Sequence, residues 1–85
     1  MSELIILRNS VDELDRKLIE IVKKRLILSR EIGNCKRKNG LKIIDRKREK
    51  EVIENRLEKS SLDSKFVKKL FKLILNESRR VQKKS

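Results

Sequence analysis

Arg25, Lys36, the adjacent pair Arg48 and Glu49, Ser78 and Gln82 put polar groups where helical periodicity otherwise calls for apolar ones. Their common chemistry is recognition of an anion. A guanidinium meets a carboxylate through paired hydrogen bonds, while Lys, Ser and Gln each add donors. A bare cation in an apolar seam costs several kcal/mol unless something anionic meets it. Each residue also has a plainer explanation. Arg25 can set the register of a coiled coil, Lys36 can snorkel, Arg48 and Glu49 can be solvated helix charges, and Ser78 with Gln82 can mark where a helix leaves the core. The spacing favours a joint role. Arg25 and Lys36 lie eleven residues apart, close to three whole turns, so they share a face with roughly 16 Å of rise between them. Long side chains leaning together from such positions close on one small anion. Other chemistries lack their residues. There is no His, so the commonest acid-base side chain and metal ligand is missing, and one Cys cannot supply a zinc site or an intrachain disulfide.

The elements that must position these residues are helices. Leu4, Val11, Leu18, Arg25 and Ile32 form one seam position of a seven-residue repeat, and Leu7, Leu14, Ile21, Leu28 and Cys35 form the other. This predicts a first helix over about 3–38. Ser2 is the favoured start, because Leu4 and Leu7 stay in register with the later seam, although Ser10 with Glu13 offers a rival capping box. Asn39-Gly40 is the stop signal. A second helix over about 45–59 takes Asp45 as N-cap. It carries Asp45, Arg48 and Glu49 at i, i+3, i+4, with Val52, Ile53 and Leu57 as its apolar face. A third helix over about 63–83 places Phe66, Val67, Leu70, Phe71, Ile74, Ser78, Val81 and Gln82 on one broad stripe. The chain therefore reads as one all-α domain, residues 1–85, of three helices.

Such a chain has little to bury. Of its 85 residues 36% are hydrophobic and 45% are charged, with two Phe and no Trp or Tyr, and oligomerisation is the natural remedy. The first helix points the same way, since a rod of roughly 50 Å overhangs a globule about 30 Å across. Two first helices paired antiparallel about residue 20 would set Arg8 of one chain opposite residue 32 of the other, between Arg25 and Lys36. Within one chain Arg8 is roughly 25 Å from Arg25. The pairing predicts a homodimer with two sites, each holding Arg25, Lys36 and Arg48 of one chain and Arg8 of its partner. The formal net charge of +12 points to anionic partners. No run is long enough to span a membrane, no signal peptide is visible, and no aromatic stacking platform or nucleic-acid motif appears. The lone Cys35 fits a reducing cytoplasm.

Taken in order, Arg8, Arg25, the turn Gly33-Asn34-Cys35-Lys36, the run Asp45-Arg46-Lys47-Arg48-Glu49, and Ser78 followed by Gln82 resemble the all-helical class of chorismate mutase. The resemblance covers nearly the whole chain, with no proline in the connector where many relatives have one. It implies an intertwined antiparallel homodimer of three-helix chains. It also implies conversion of chorismate to prephenate, on the branch to phenylalanine and tyrosine, without cofactor or metal. Arg8 of the partner subunit and Arg25 would grip the carboxylates of the dianionic substrate. Lys36 and Gln82 would donate to the ether oxygen, Asp45 and Glu49 would hold the ring hydroxyl, Arg48 would bind a carboxylate or orient Glu49, and Ser78 would add a lesser contact. Lys36, Gln82, Arg25 and Glu49 are the catalytic candidates. The alternatives are an enzyme of the same fold acting on isochorismate or on an amino analogue of chorismate, and a basic helical dimer that binds nucleic acid. The acidic pair Asp45 and Glu49 favours the mutase over the first, and the lack of any nucleic-acid motif counts against the second.

Because Gln82 is a neutral donor and no side chain has an ordinary pKa between about 6 and 8, turnover of chorismate should stay nearly flat across that range. A steep loss of kcat between pH 6 and 8 would contradict the assignment of Gln82 as donor.

Overall fold

The computed structural model describes residues 2–84 as three helices, α1 (Glu3–Lys38), α2 (Arg46–Lys59) and α3 (Ser64–Lys84), with no strand among them. The fold is all-α, as the sequence predicts. Local chemistry accounts for each boundary. The Ser2 hydroxyl oxygen caps α1 by accepting the Ile5 N–H at 3.3 Å. Ser10 sits inside the helix and donates back to the Ile6 carbonyl at 3.2 Å, so it starts nothing. At the other end Gly40 adopts φ +66°, the Gly40 N–H bonds the Arg37 carbonyl, and the Leu41 N–H bonds the Lys36 carbonyl at 2.8 Å. That pair of bonds closes the last turn and needs a residue free of the left-handed penalty. Asp45 accepts the Arg48 N–H at 3.0 Å to cap α2, and Asp63 accepts the Phe66 N–H at 3.0 Å to cap α3.

α3 is the central element. It packs against α1 on one side and α2 on the other, while α1 and α2 make no close backbone approach. The buried apolar side chains are few: Val52 from α2, and Val67, Leu75 and Val81 from α3. Arg56 of α2 lays its guanidinium over the Phe71 ring, 5.9 Å from the centroid, and shields that junction. The face of α3 turned inward differs from the expected stripe at three places. Leu70 is exposed. Leu75 is buried, whereas Phe66 is 54% exposed. The rotation follows from α3 serving two neighbours, so the line of burial runs through Val67, Leu75, Ser78 and Gln82.

α1 carries two separate stripes. The one against α3 contains Ser29 and Gly33, both buried, flanked by half-buried Leu26 and Lys36. The heptad seam faces elsewhere from Leu4 to Ile21, and only its later members Arg25, Leu28 and Ile32 come alongside the crossing with α3. Leu4, Leu7, Val11, Leu14, Leu18, Ile21, Leu28 and Ile32 are each at least half exposed, and every residue from 2 to 24 is open to solvent. No described residue covers that seam from Leu4 to Ile21. The chain measures 58 × 26 × 15 Å with a radius of gyration of 16.4 Å, against about 12 Å for a compact domain of this length.

Candidate functional site

Where α1 crosses α3, the two helices, the connector and the first turns of α2 enclose a cavity of about 300 Å³. Arg25, Ser29 and Lys36 enter it from α1, Asp45 from the connector, Arg48 and Glu49 from α2, and Ser78, Arg79 and Gln82 from α3. Leu28, Ile32, Ile43, Val52 and Leu75 supply apolar wall. The size suits a small organic molecule.

The small residues of α1 create the crossing. A β-carbon on Gly33 would lie 2.9 Å from the Gln82 Cα and 3.0 Å from the Gln82 carbonyl oxygen, closer than packed atoms tolerate. Arg37 holds the contact from outside. Its Nη1 donates to the Gln82 carbonyl at 2.6 Å and its Nη2 to Asn34 Oδ1 at 2.6 Å, satisfying a carbonyl in the last turn of α3. Gln82 is thereby fixed at its backbone.

Its side chain is fixed as well. Lys36 Nζ donates to Gln82 Oε1 at 2.9 Å and to the Ile43 carbonyl at 2.7 Å. An ammonium only donates, so the amide oxygen must be the end turned toward Lys36, which fixes the orientation of the Gln82 amide. One lysine thus ties α1, α3 and the connector together at one edge of the cavity.

At the other edge Arg25 Nη1 donates to Ser78 Oγ at 2.8 Å. The Ser78 and Ser29 hydroxyls are hydrogen-bonded at 3.1 Å, and Ser29 donates to the Arg25 carbonyl at 3.1 Å. The single Ser29 proton is used on that carbonyl, so the proton between the hydroxyls comes from Ser78, leaving its oxygen to accept from Arg25. Burial, then the charges of Arg56 and Arg48, push the Arg25 guanidinium below its usual pKa. The cation is held where its own charge is costly, and an anion in the cavity would relieve that cost. Four cationic side chains, Arg25, Lys36, Arg48 and Arg79, line the cavity with two carboxylates, Asp45 and Glu49. The excess of positive charge suits an anionic ligand.

Of the residues singled out in the sequence, Arg25, Lys36, Asp45, Arg48, Glu49, Ser78 and Gln82 all reach this one cavity. Arg8 does not. It sits on the exposed half of α1, seventeen residues and roughly 25 Å along the rod from Arg25. Glu49 pairs with Arg79, at 3.4 Å, rather than with Arg48, which reaches out to Glu51 at 3.9 Å. Ser29, Arg37 and Arg79 escaped the sequence reading. Ser29 had a signal, standing four residues after Arg25 and seven before Lys36 on the same helix face. Arg79 and Arg37 had none, because each lies beside a singled-out residue and its direction depends on how the helices are rotated. Among the described residues no cluster of three or more His, Cys, Asp or Glu is placed to hold a metal ion.

The family described as chorismate mutase type II matches residues 7–83 of this chain. The chain is 37% identical over 84 residues to a bifunctional chorismate mutase/prephenate dehydratase of Buchnera aphidicola, covering 95% of this chain and 23% of that protein. It is 25% identical over 80 residues to a chorismate mutase of Methanocaldococcus jannaschii, covering 91% of this chain and 81% of that one. The chain thus spans about a quarter of the bifunctional relative and most of the archaeal one. A solved structure of a conserved hypothetical protein from Pyrococcus furiosus superposes with a TM-score of 0.79 at 34% identity, covering 96% of this chain and 97% of the other.

The contact of Gly33 with backbone atoms of Gln82 makes a specific demand. Gly33→Ala should destabilise the fold by about 1–3 kcal/mol through overpacking, read as a lower urea midpoint at matched protein concentration. An unchanged or higher midpoint would contradict the close approach of α1 and α3.

Proposed function

The chain belongs to the chorismate mutase type II family, and from that premise we propose that it converts chorismate to prephenate within an antiparallel homodimer whose two sites each borrow Arg8 from the partner subunit. The reaction is a unimolecular rearrangement. One C–O bond breaks as one C–C bond forms, with no atom gained or lost, and negative charge builds on the ether oxygen as the enolpyruvyl arm folds over the ring. It requires a held conformer and donors aimed at that oxygen, and neither a nucleophile nor a general base.

The observation that carries this reading is the meeting of Lys36 Nζ and Gln82 Oε1 at 2.9 Å in a cavity whose opposite edge holds Arg25 on Ser78. Two donor-bearing side chains converge on one point of the wall, and a carboxylate grip lies across from them. On binding, Lys36 and the Gln82 amide nitrogen donate to the ether oxygen, and Lys36 also touches a carboxylate. Arg25, braced by the Ser78 and Ser29 hydroxyls, takes one carboxylate in its fork, with Arg48 at its side. Asp45 and Glu49 accept from the ring hydroxyl. The Arg25–Ser78–Ser29 and Lys36–Gln82 contacts that orient these groups exist before substrate arrives, so little reorganisation is left to the chemical step.

Support for the homodimer comes from the bare heptad seam of α1 and from a radius of gyration far above that of a compact domain. An exposed apolar stripe that runs from Leu4 to Ile21 is covered most simply by a second copy of itself, and a two-fold axis near residue 20 would bring Arg8 of the partner subunit beside Ile32, on the cavity wall. Asp45 and Glu49 in the same cavity favour chorismate over isochorismate. Among the described residues no helix is long and apolar enough to cross a membrane, and the free, exposed Cys35 fits a cytoplasmic site of action.

Arg8→Ala and Arg25→Ala should each lower kcat/KM for chorismate by about 10²-fold or more. Unfolded and refolded together in equal amounts, the two variants should regain about a quarter of wild-type activity, because half the dimers are mixed and each mixed dimer has one site with both arginines. No recovery despite mixed dimers would contradict the shared site. A wild-type protein that forms no prephenate would remove the functional reading itself.

A further inference from the structure

Glu49 and Arg79 form the one ion pair that joins two helices among the described residues; the pairs Arg48–Glu51, Lys50–Glu54 and Arg80–Glu77 each lie within a single helix. It is also the most sheltered. The Arg79 and Glu49 side chains are 22% and 20% exposed, against 61% and 52% for Arg48 and Glu51, so solvent screens it least. The guanidinium is anchored at a second point, with Nη2 donating to Asn76 Oδ1 one turn earlier on α3. Both Arg79 and Glu49 line the cavity. The other cations there are otherwise engaged: Arg25 on Ser78, Lys36 on Gln82 and the Ile43 carbonyl, and Arg48 toward Glu51.

Resting on the proposed mutase reading, we infer that Arg79 is a positioning residue that holds the Glu49 carboxylate against the wall facing the substrate ring, and so keeps it from pairing with Arg25. Two effects follow from that one contact. Glu49 presents a fixed acceptor to the ring hydroxyl, and Arg25 keeps its fork for a substrate carboxylate. Without Arg79, the carboxylate shares the cavity with Arg25, Lys36 and Arg48 as its remaining cations, and pairing with any of them would occupy a group that binds substrate. The role is specific to Glu49, so it must vanish when Glu49 no longer carries a charge.

A double-mutant cycle in the full-length protein tests this. In the wild-type background Arg79→Ala should lower kcat/KM for chorismate about tenfold, chiefly through a higher KM. In the Glu49→Gln background the same substitution should change kcat/KM by less than about twofold. Equal losses in the two backgrounds, or no loss in the first, would overturn the inference. Should Arg79→Ala fail to fold, Arg79→Gln, which keeps the stem and removes the charge, takes its place in the cycle. Turnover by the wild-type protein in the same assay separates the two claims. Its absence removes the mutase reading, whereas an active wild type with additive losses removes the role of Arg79 alone.

Discussion

The structure depends on how closely α1 approaches α3 at Gly33, where any β-carbon would fall 2.9 Å from the Gln82 Cα. That proximity brings Lys36 within 2.9 Å of the Gln82 amide oxygen and lets Arg37 reach the Gln82 carbonyl. Four residues earlier on α1, the small side chain of Ser29 lets Ser78 come near enough to share a proton and to brace Arg25. The two helices therefore meet through small and polar groups, and the void beside them is the cavity. A larger side chain at either position would push the helices apart and separate the donors on its two edges.

The core is correspondingly slight, and the chain compensates with polar contacts that are completed on both sides. Buried Ser29, Ser78 and Gln82 would each cost free energy if left unpaired, yet no buried side-chain nitrogen or oxygen among the described residues lacks a partner. The remaining imbalance is electrostatic. An excess of positive charge is gathered around Arg25, whose charged form is disfavoured by burial and by Arg56 and Arg48. Folding has placed charge where only an anion completes the arrangement. The same division extends to α1 as a whole, which spends one stripe on α3 and leaves a longer apolar one exposed.

Much of this was legible in the sequence. The heptad spacing from Leu4 to Cys35 implied a helix longer than its domain, Asp45 and Asn39-Gly40 implied the caps, and polar residues in apolar stripes implied the cavity. What was hidden has a physical cause in each instance. The heptad seam is the most conspicuous pattern in the chain, and its members Arg25, Leu28 and Ile32 do line the cavity, but the face of α1 that makes the crossing with α3 is the one made of Ser29 and Gly33, which hydrophobicity does not flag. Periodicity shows that α3 is amphipathic without fixing its rotation, so Leu75 and Arg79 turned inward unannounced while Phe66 turned out. Arg8 is the inverse case. Its place in the sequence suggests a role, and its own chain leaves it far from the cavity.

The central claim is that one chain holds most of a dianion site and a second chain completes it. A crystal structure of the protein with an unreactive bicyclic dicarboxylate that mimics the folded substrate tests this most directly. It should show a two-fold dimer with one carboxylate on Arg25, the ether oxygen between Lys36 and Gln82, and the partner subunit's Arg8 about 3 Å from the other carboxylate. A ligand held wholly by one chain, with both Arg8 side chains in solvent, would contradict it.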